Sequence, residues 1–224
     1  MSSRRFPIVS GQIYHVFNRS VAKQPIFLDS RDYQRFCEAI NFYRFYRPPI
    51  RFSYFCRLSQ NLKNEIMTSQ IKTGKKLVEI FAFCLIPNHF HFLLKCQENS
   101  GVQRFIGNLQ NSYAKYFNFK RKRNGAIFQE MFKSVLITSE EQFIQVARYI
   151  HLNPYSSLLL AKIEDLDSYL WSSWPHYLGK NKYPFLQENF LGNFYKNRQE
   201  MKKHTFDQAD YQKQRKILEH LLLE

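Results

Sequence analysis

The pattern of apolar and polar positions sets apart two neighbouring stretches, residues 77–85 and 90–96, that are dense in apolar residues. Each has strand length, and Pro87-Asn88 between them suits a tight turn. In the second, His89 and His91 alternate with Phe90 and Phe92. A strand therefore turns both imidazoles to one face, roughly 6.6 Å apart along the backbone, and both phenyl rings to the other. Residues 12–19 alternate in the same way and are rich in β-formers (Ile13, Tyr14, Val16, Phe17), which predicts a first strand.

Periodicity of three to four marks the helices. Phe36, Cys37, Ile40, Phe42 and Tyr43 recur along a segment that Asp29 or Ser30 can cap and Pro48-Pro49 ends. From residue 102 to about 122, Phe105, Ile106, Leu109, Tyr113, Tyr116 and Phe117 form an apolar stripe. A third helix is predicted from 140 to about 152, opened by Thr138 or Ser139 with Glu141 or Gln142 as a capping box and buried through Phe143, Val146, Ala147 and Ile150. Residues 51–58 are a possible further strand, 59–76 a mobile polar excursion, and 126–137 a strand or extended segment. The order β, α, β, β, α, β, α predicts an α+β fold of ferredoxin-like type, with an antiparallel sheet and helices packed on one side.

After Pro154-Tyr155 the chain turns to Ser-rich segments. Its last stretch, 206–224, carries Tyr211, Ile217, Leu218, Leu221 and Leu222 at helical spacing, which predicts a C-terminal helical extension docked on the preceding part. A boundary near 157 follows, giving units 1–157 and 158–224.

Charge sharpens this division. The 224 residues hold 33 Lys and Arg against 18 Asp and Glu, a formal charge of +15. Residues 1–157 carry 23 of those bases and 9 of the acids, whereas the rest is close to neutral. A polyanion is the expected partner, held by the first unit. The run Lys120-Arg121-Lys122-Arg123 has two readings, a phosphate clamp or cations suited to the dipole at a helix C-terminus. Arg4 and Arg5 are further candidates for nucleic-acid contact, set against the ordinary solvation of a terminus.

Some of the 22 Phe and 14 Tyr must form the core, and exposed rings beside cations could stack on unpaired bases. Cys37, Cys56, Cys84 and Cys96 lack zinc-type spacing and are expected to be reduced. The longest fully apolar run, residues 80–86, is too short for a membrane span. A protein without membrane attachment, at home in the cytoplasm, is the expectation.

Chemistry enters through Arg148-Tyr149-Ile150-His151-Leu152-Asn153-Pro154, where a helix would stack Tyr149 and Asn153 one turn apart. The tyrosine could then attack phosphorus while the amide oxygen binds a metal on the same phosphate. The plainer alternative makes Tyr149 an amphipathic aromatic and Asn153 a C-terminal cap before proline. Arg148 is a candidate cation for phosphate contact or for favouring phenolate. His15 borders the metal site or is a paired core histidine, the latter being favoured. No role falls to His151.

Leu85-Ile86-Pro87-Asn88-His89-Phe90-His91, Ser112-Tyr113-Ala114-Lys115-Tyr116-Phe117-Asn118, Gly125-Ala126-Ile127-Phe128-Gln129, Tyr149-Ile150-His151-Leu152-Asn153-Pro154 and Trp171-Ser172-Ser173 together resemble the single-tyrosine HUH transposases, in particular their REP-associated branch. The resemblance spans roughly residues 8–178. It implies an HUH endonuclease domain over 1–157 in which His89, His91 and Asn153 hold a divalent cation, Mg2+ or Mn2+, and Tyr149 is the nucleophile. It further implies cleavage of single-stranded DNA near palindromic hairpins through a covalent 5′-phosphotyrosine link, by a monomer or homodimer in a bacterial, nucleoid-associated setting. Tyr113 and Tyr116 are the rival nucleophiles. A domesticated relative that binds structured DNA or RNA without cutting it, and a hydrolase using activated water, are the competing functions.

Overall fold

The computed structural model describes residues 7–187 and 191–221. Arg4 and Arg5 lie outside the described residues. Four strands, β1 (Ile13–Arg19), β2 (Val78–Ile86), β3 (His89–Cys96) and β4 (Lys133–Ile137), form one sheet in the order β2-β3-β1-β4. All its pairings are antiparallel. The helices are α1 (Ser30–Tyr43), α2 (Phe52–Phe55), α3 (Gln60–Thr73), α4 (Gly101–Lys120), α5 (Glu140–Ser156), α6 (Trp174–Tyr177), α7 (Arg198–Phe206) and α8 (Ala209–Leu221). With α1 and α4 as the crossovers, this is the predicted ferredoxin-like α+β arrangement.

Because β3 lies inside the sheet and alternates, it feeds two cores. Phe90, Phe92 and Leu94 join Phe36, Ile40, Phe105, Leu109 and Tyr113 of α1 and α4 on one face. Leu93 joins Cys84 and Ile86 of β2 and Phe143, Ala147 and Ile150 of α5 on the other. A register shift between Ile80 and Ala82 lets the consecutive residues Phe81 and Ala82 both reach the α5 side, as a bulge does. Helices thus cover both faces: α1 and α4 account for the predicted one-sided packing, and α5 adds a second layer.

Three expectations change. Residues 51–58 are not a strand, because Phe52 and Phe55, three apart and both buried, pack on Phe42 as the short helix α2. The supposed excursion at 59–76 is mostly α3, whose N-cap Ser59 accepts a hydrogen bond from the Leu62 amide at 3.5 Å and whose Lys63 pairs with Glu38 at 3.2 Å. Its sequence hides the helix because Met67 alone is fully buried. In the last segment, Tyr211 and Leu218 face solvent at 60% and 57% exposure. Instead α8 meets α5 through buried Ala209 and the polar side chains of Gln212 and Lys216. The side chain of Leu221 and all of Leu222 lie outside the described residues.

The segment after residue 157 is stitched to the sheet edge, where Ser172 bridges Cys84 and Leu186 bridges Ile80. All four cysteines are free. Among the described residues no helix is long and apolar enough to cross a membrane.

Asp32 anchors one end of the α1–α4 pair. Its fully buried carboxylate accepts from Lys120 at 2.6 Å, Tyr116 at 3.0 Å, Arg121 at 3.1 Å and the Leu28 amide at 3.0 Å, while Asp29 shares the same two cations. Hydrogen bonding from Lys120 lowers the Asp29 pKa to about 2. For Asp32, burial works to raise the pKa, but Lys120 and the other donors outweigh it and the net shift is downward. Both carboxyls therefore titrate below the unfolded value of about 3.9, so below that pH the unfolded chain binds more protons. Their contribution is complete above about pH 4 and is lost as the pH falls through the folded values. Urea unfolding between pH 5 and 2.5 should show this decline, flattened in Asp32→Asn, which at pH 7 should lose about 2–3 kcal/mol.

Candidate active site

The two histidines open β3, and their ring centroids lie 5.0 Å apart on the face that α5 covers. His89 Nδ1 is 2.6 Å from Asn88 Oδ1, so the turn residue before the strand fixes its ring. His91 is buried and its Nδ1 is 3.0 Å from His15 Nε2 on β1. Each imidazole thus has Nδ1 engaged, and His91 Nε2 is buried without a hydrogen-bond partner. Engagement of one ring nitrogen with the other directed at an ion is the usual outer-shell pattern of metal-binding histidines.

Tyr149 comes from α5. Its ring meets His91 edge-on at a centroid distance of 5.6 Å and His15 at 5.8 Å. Pro154 does not end this helix, which runs on to Ser156, so Asn153 keeps its place one turn beyond Tyr149. Asn153 is fully buried, and its amide interacts with His89. The four residues singled out in the sequence, His89, His91, Tyr149 and Asn153, are therefore brought together although 60 residues separate the first histidine from the tyrosine.

Charge in this site comes from elsewhere. Burial holds His89 down to about pKa 3, helped by the charges of Lys216 and Arg19 and opposed by the Asn153 hydrogen bond. Burial also drives His91 well below its ordinary value and His15 to about 4. All three imidazoles are neutral at pH 7, the state in which a ring nitrogen can donate a lone pair to a metal. Lys216 of α8 brings an ammonium to 2.9 Å from Asn153 Oδ1 and 2.6 Å from Ser157 Oγ, and 5.7 Å from the centre of the Tyr149 ring. Gln212, one turn earlier, donates to the Tyr149 carbonyl and to Ser156 Oγ.

Among the described residues no group of three or more His, Cys, Asp or Glu converges as a metal site. The available set is two imidazoles and an amide. The orphaned His91 Nε2 fits such a set, whereas an amide ligates through oxygen, and Asn153 Oδ1 here accepts from Lys216.

The remaining candidates separate. Lys120 and Arg121 pair with Asp29 and Asp32 in this structure. Arg123 donates to the Ala126 carbonyl at 3.4 Å, and Lys122 is exposed in the turn after α4. Arg148 turns to Gln145 at 2.7 Å and to His204 at 3.5 Å rather than to the tyrosine beside it. Tyr113 is buried and donates to the Ile26 carbonyl, and Tyr116 donates to Asp32, so both rival nucleophiles serve the fold. His151 is buried against Trp174 and Tyr177 with Nε2 2.7 Å from Ser173 Oγ.

Sequence reasoning favoured a paired core histidine for His15, and the ring is buried and paired with His91. The same reasoning missed Lys216, for which no local pattern spoke, because an exposed amphipathic helix offers many equivalent lysines. Removing that ammonium releases the Asn153 oxygen and deletes a like charge from the metal position. Lys216→Met should tighten Mn2+ binding by about tenfold, about 1.4 kcal/mol, at low ionic strength, as measured by calorimetric titration.

A family model described as "Transposase IS200 like" matches residues 51–153. No curated protein sequence matches the chain significantly. Among solved structures, a REP-associated tyrosine transposase bound to a REP hairpin is similar with a TM-score of 0.49 and 14% identity, over 85% of this chain and 93% of that one. A structure named for a transposase of Deinococcus radiodurans R1 is similar with a TM-score of 0.35 and 14% identity, over 67% and 95%. The segment that carries His89, His91, Tyr149 and Asn153 thus matches the IS200-like transposase family.

Proposed function

We propose that the protein is a divalent-metal-dependent endonuclease and strand transferase for single-stranded DNA beside palindromic hairpins, with Tyr149 as nucleophile. The observation that carries this reading is the packing of Tyr149 against His91 with Asn153 buried one turn along the same helix. The IS200-like family match over those residues supports it.

Tyr149 supplies the phenol oxygen. As that oxygen bonds to phosphorus, the bond to the 3′-oxygen breaks, leaving a 5′-phosphotyrosine and a 3′-hydroxyl that takes up the proton. The reverse attack by a 3′-hydroxyl restores a phosphodiester and frees the tyrosine, so joining consumes no nucleotide. Bound by His89, His91 and the Asn153 amide, Mg2+ or Mn2+ would withdraw electron density from a non-bridging phosphate oxygen. A free tyrosine, with a pKa of about 10, is ionised only to about one part in 10³ at neutral pH. Lys216, whose ammonium lies by the tyrosine ring, provides the positive field that favours phenolate.

One observation favours a second reading, a protein that binds structured nucleic acid without cutting it. The contact of Lys216 with Asn153 Oδ1 at 2.9 Å engages the amide oxygen that a metal would need. Hairpin oligonucleotides labelled at either end and incubated with Mn2+ distinguish the two. Cleavage should leave a protein adduct on the 5′-phosphate side that is lost in Tyr149→Phe and retained in Tyr116→Phe. An adduct that survives Tyr149→Phe, or hairpin binding in chelator with no cleavage across many palindromes in Mn2+, would reject the enzyme.

A further inference from the structure

His15 and His91 pose a question that the ligand set alone leaves open. Their stacked rings, with centroids 5.2 Å apart and planes inclined by 22°, bring His15 Nε2 within 3.0 Å of His91 Nδ1. Both residues are buried, at 8% and 4% exposure. Two neutral imidazoles in such contact share one hydrogen, so one ring donates and the other accepts. The donor's identity decides where His91 keeps its remaining lone pair.

If His15 donated, the His91 proton would sit on Nε2. That atom is buried and has no acceptor in reach, and an orphaned N–H costs about 1–3 kcal/mol. If His91 donates from Nδ1, the orphan is a lone pair instead, and buried donors without partners are the rarer case. Packing holds His15 in place for either role, between Phe17 and the Tyr149 ring edge at centroid distances of 4.9 and 5.8 Å.

We infer that His15 is a positioning residue: by accepting the Nδ1 proton of His91, it fixes the tautomer whose Nε2 lone pair faces the site and can ligate a divalent metal. The inference rests on the metal-dependent reading above but makes a claim about the metal-free protein that can be tested separately. His15 touches neither metal nor phosphate in this role. Its counterpart for His89 is Asn88, which lies within the same short motif, whereas His15 is 76 residues away from its partner.

Long-range proton–nitrogen spectra of 15N-histidine-labelled full-length protein without metal report the tautomer of each neutral ring. His91 should appear with its proton on Nδ1. In His15→Phe, which keeps a flat ring against Phe17 but offers no acceptor, the proton should move wholly or partly to Nε2. Mn2+ affinity by calorimetry should then drop about 10- to 100-fold, and His15→Gln, whose amide oxygen can accept, should recover most of it. A His91 proton on Nε2 in the parent overturns the inference, as does a His15→Phe protein with both tautomer and Mn2+ affinity unchanged. Should His15→Phe not fold, the parent spectrum decides alone. A parent that binds no Mn2+ defeats the metal reading, while the tautomer still decides the role of His15.

Discussion

The structure depends on the burial of β3 on both faces. A strand inside a sheet with helices on each side has no solvent-facing row, so the polar residues it carries must be satisfied within the protein or cost several kcal/mol. His89 and His91 stand in that row, opposite Phe90 and Phe92. Asn88 and His15 each engage one ring nitrogen, and the tyrosine helix closes over the face. Fold and site are therefore one problem: the same α5 that covers Leu93, Cys84 and Ile86 delivers Tyr149 and Asn153.

α5 can do this because its C-terminal half is enclosed. Residues 150–156 form an unbroken buried run that includes His151, Asn153 and Ser156. Pro154 removes one backbone donor, which in an isolated helix would end or kink it. Here the sheet lies on one side and α8 on the other. Gln212 donates to Tyr149 O and Ser156 Oγ, and Lys216 reaches Asn153 and Ser157, so polar contacts from α8 hold the last turns. The extension is part of the site's wall.

Alternation made β1 and β3 legible and a continuous apolar run marked β2, and the amphipathic stripes of α1, α4 and α5 were equally plain, because each of those patterns is set by burial that the sequence itself displays. What stayed hidden is what local pattern does not encode. α3 buries Met67 fully and little else, so its helix left no stripe. Phe52 and Phe55 suit a strand or a single helical turn, and their packing on Phe42 decides. His89, His91, Tyr149 and Asn153 were legible as candidates through motif and resemblance. Their meeting was not, since it depends on α5 crossing the second face. Lys216 was invisible for the complementary reason, as its role comes from the residue opposite it and not from any neighbour in sequence.

Net charge alone does not say how the cations stand to the carboxylates. The densest basic run is half neutralised by Asp29 and Asp32, which tie Lys120 and Arg121 to the start of α1. At the face of the candidate site, by contrast, the histidines are held neutral, and the charges of Lys216 and Arg19 act on His89 and His91. A divalent cation entering that face alone meets two like charges. A phosphodiester brings the opposite charge to the same place and offsets them. On the proposed function, metal and DNA would favour each other's binding there, and by linkage each would strengthen the other by the same factor.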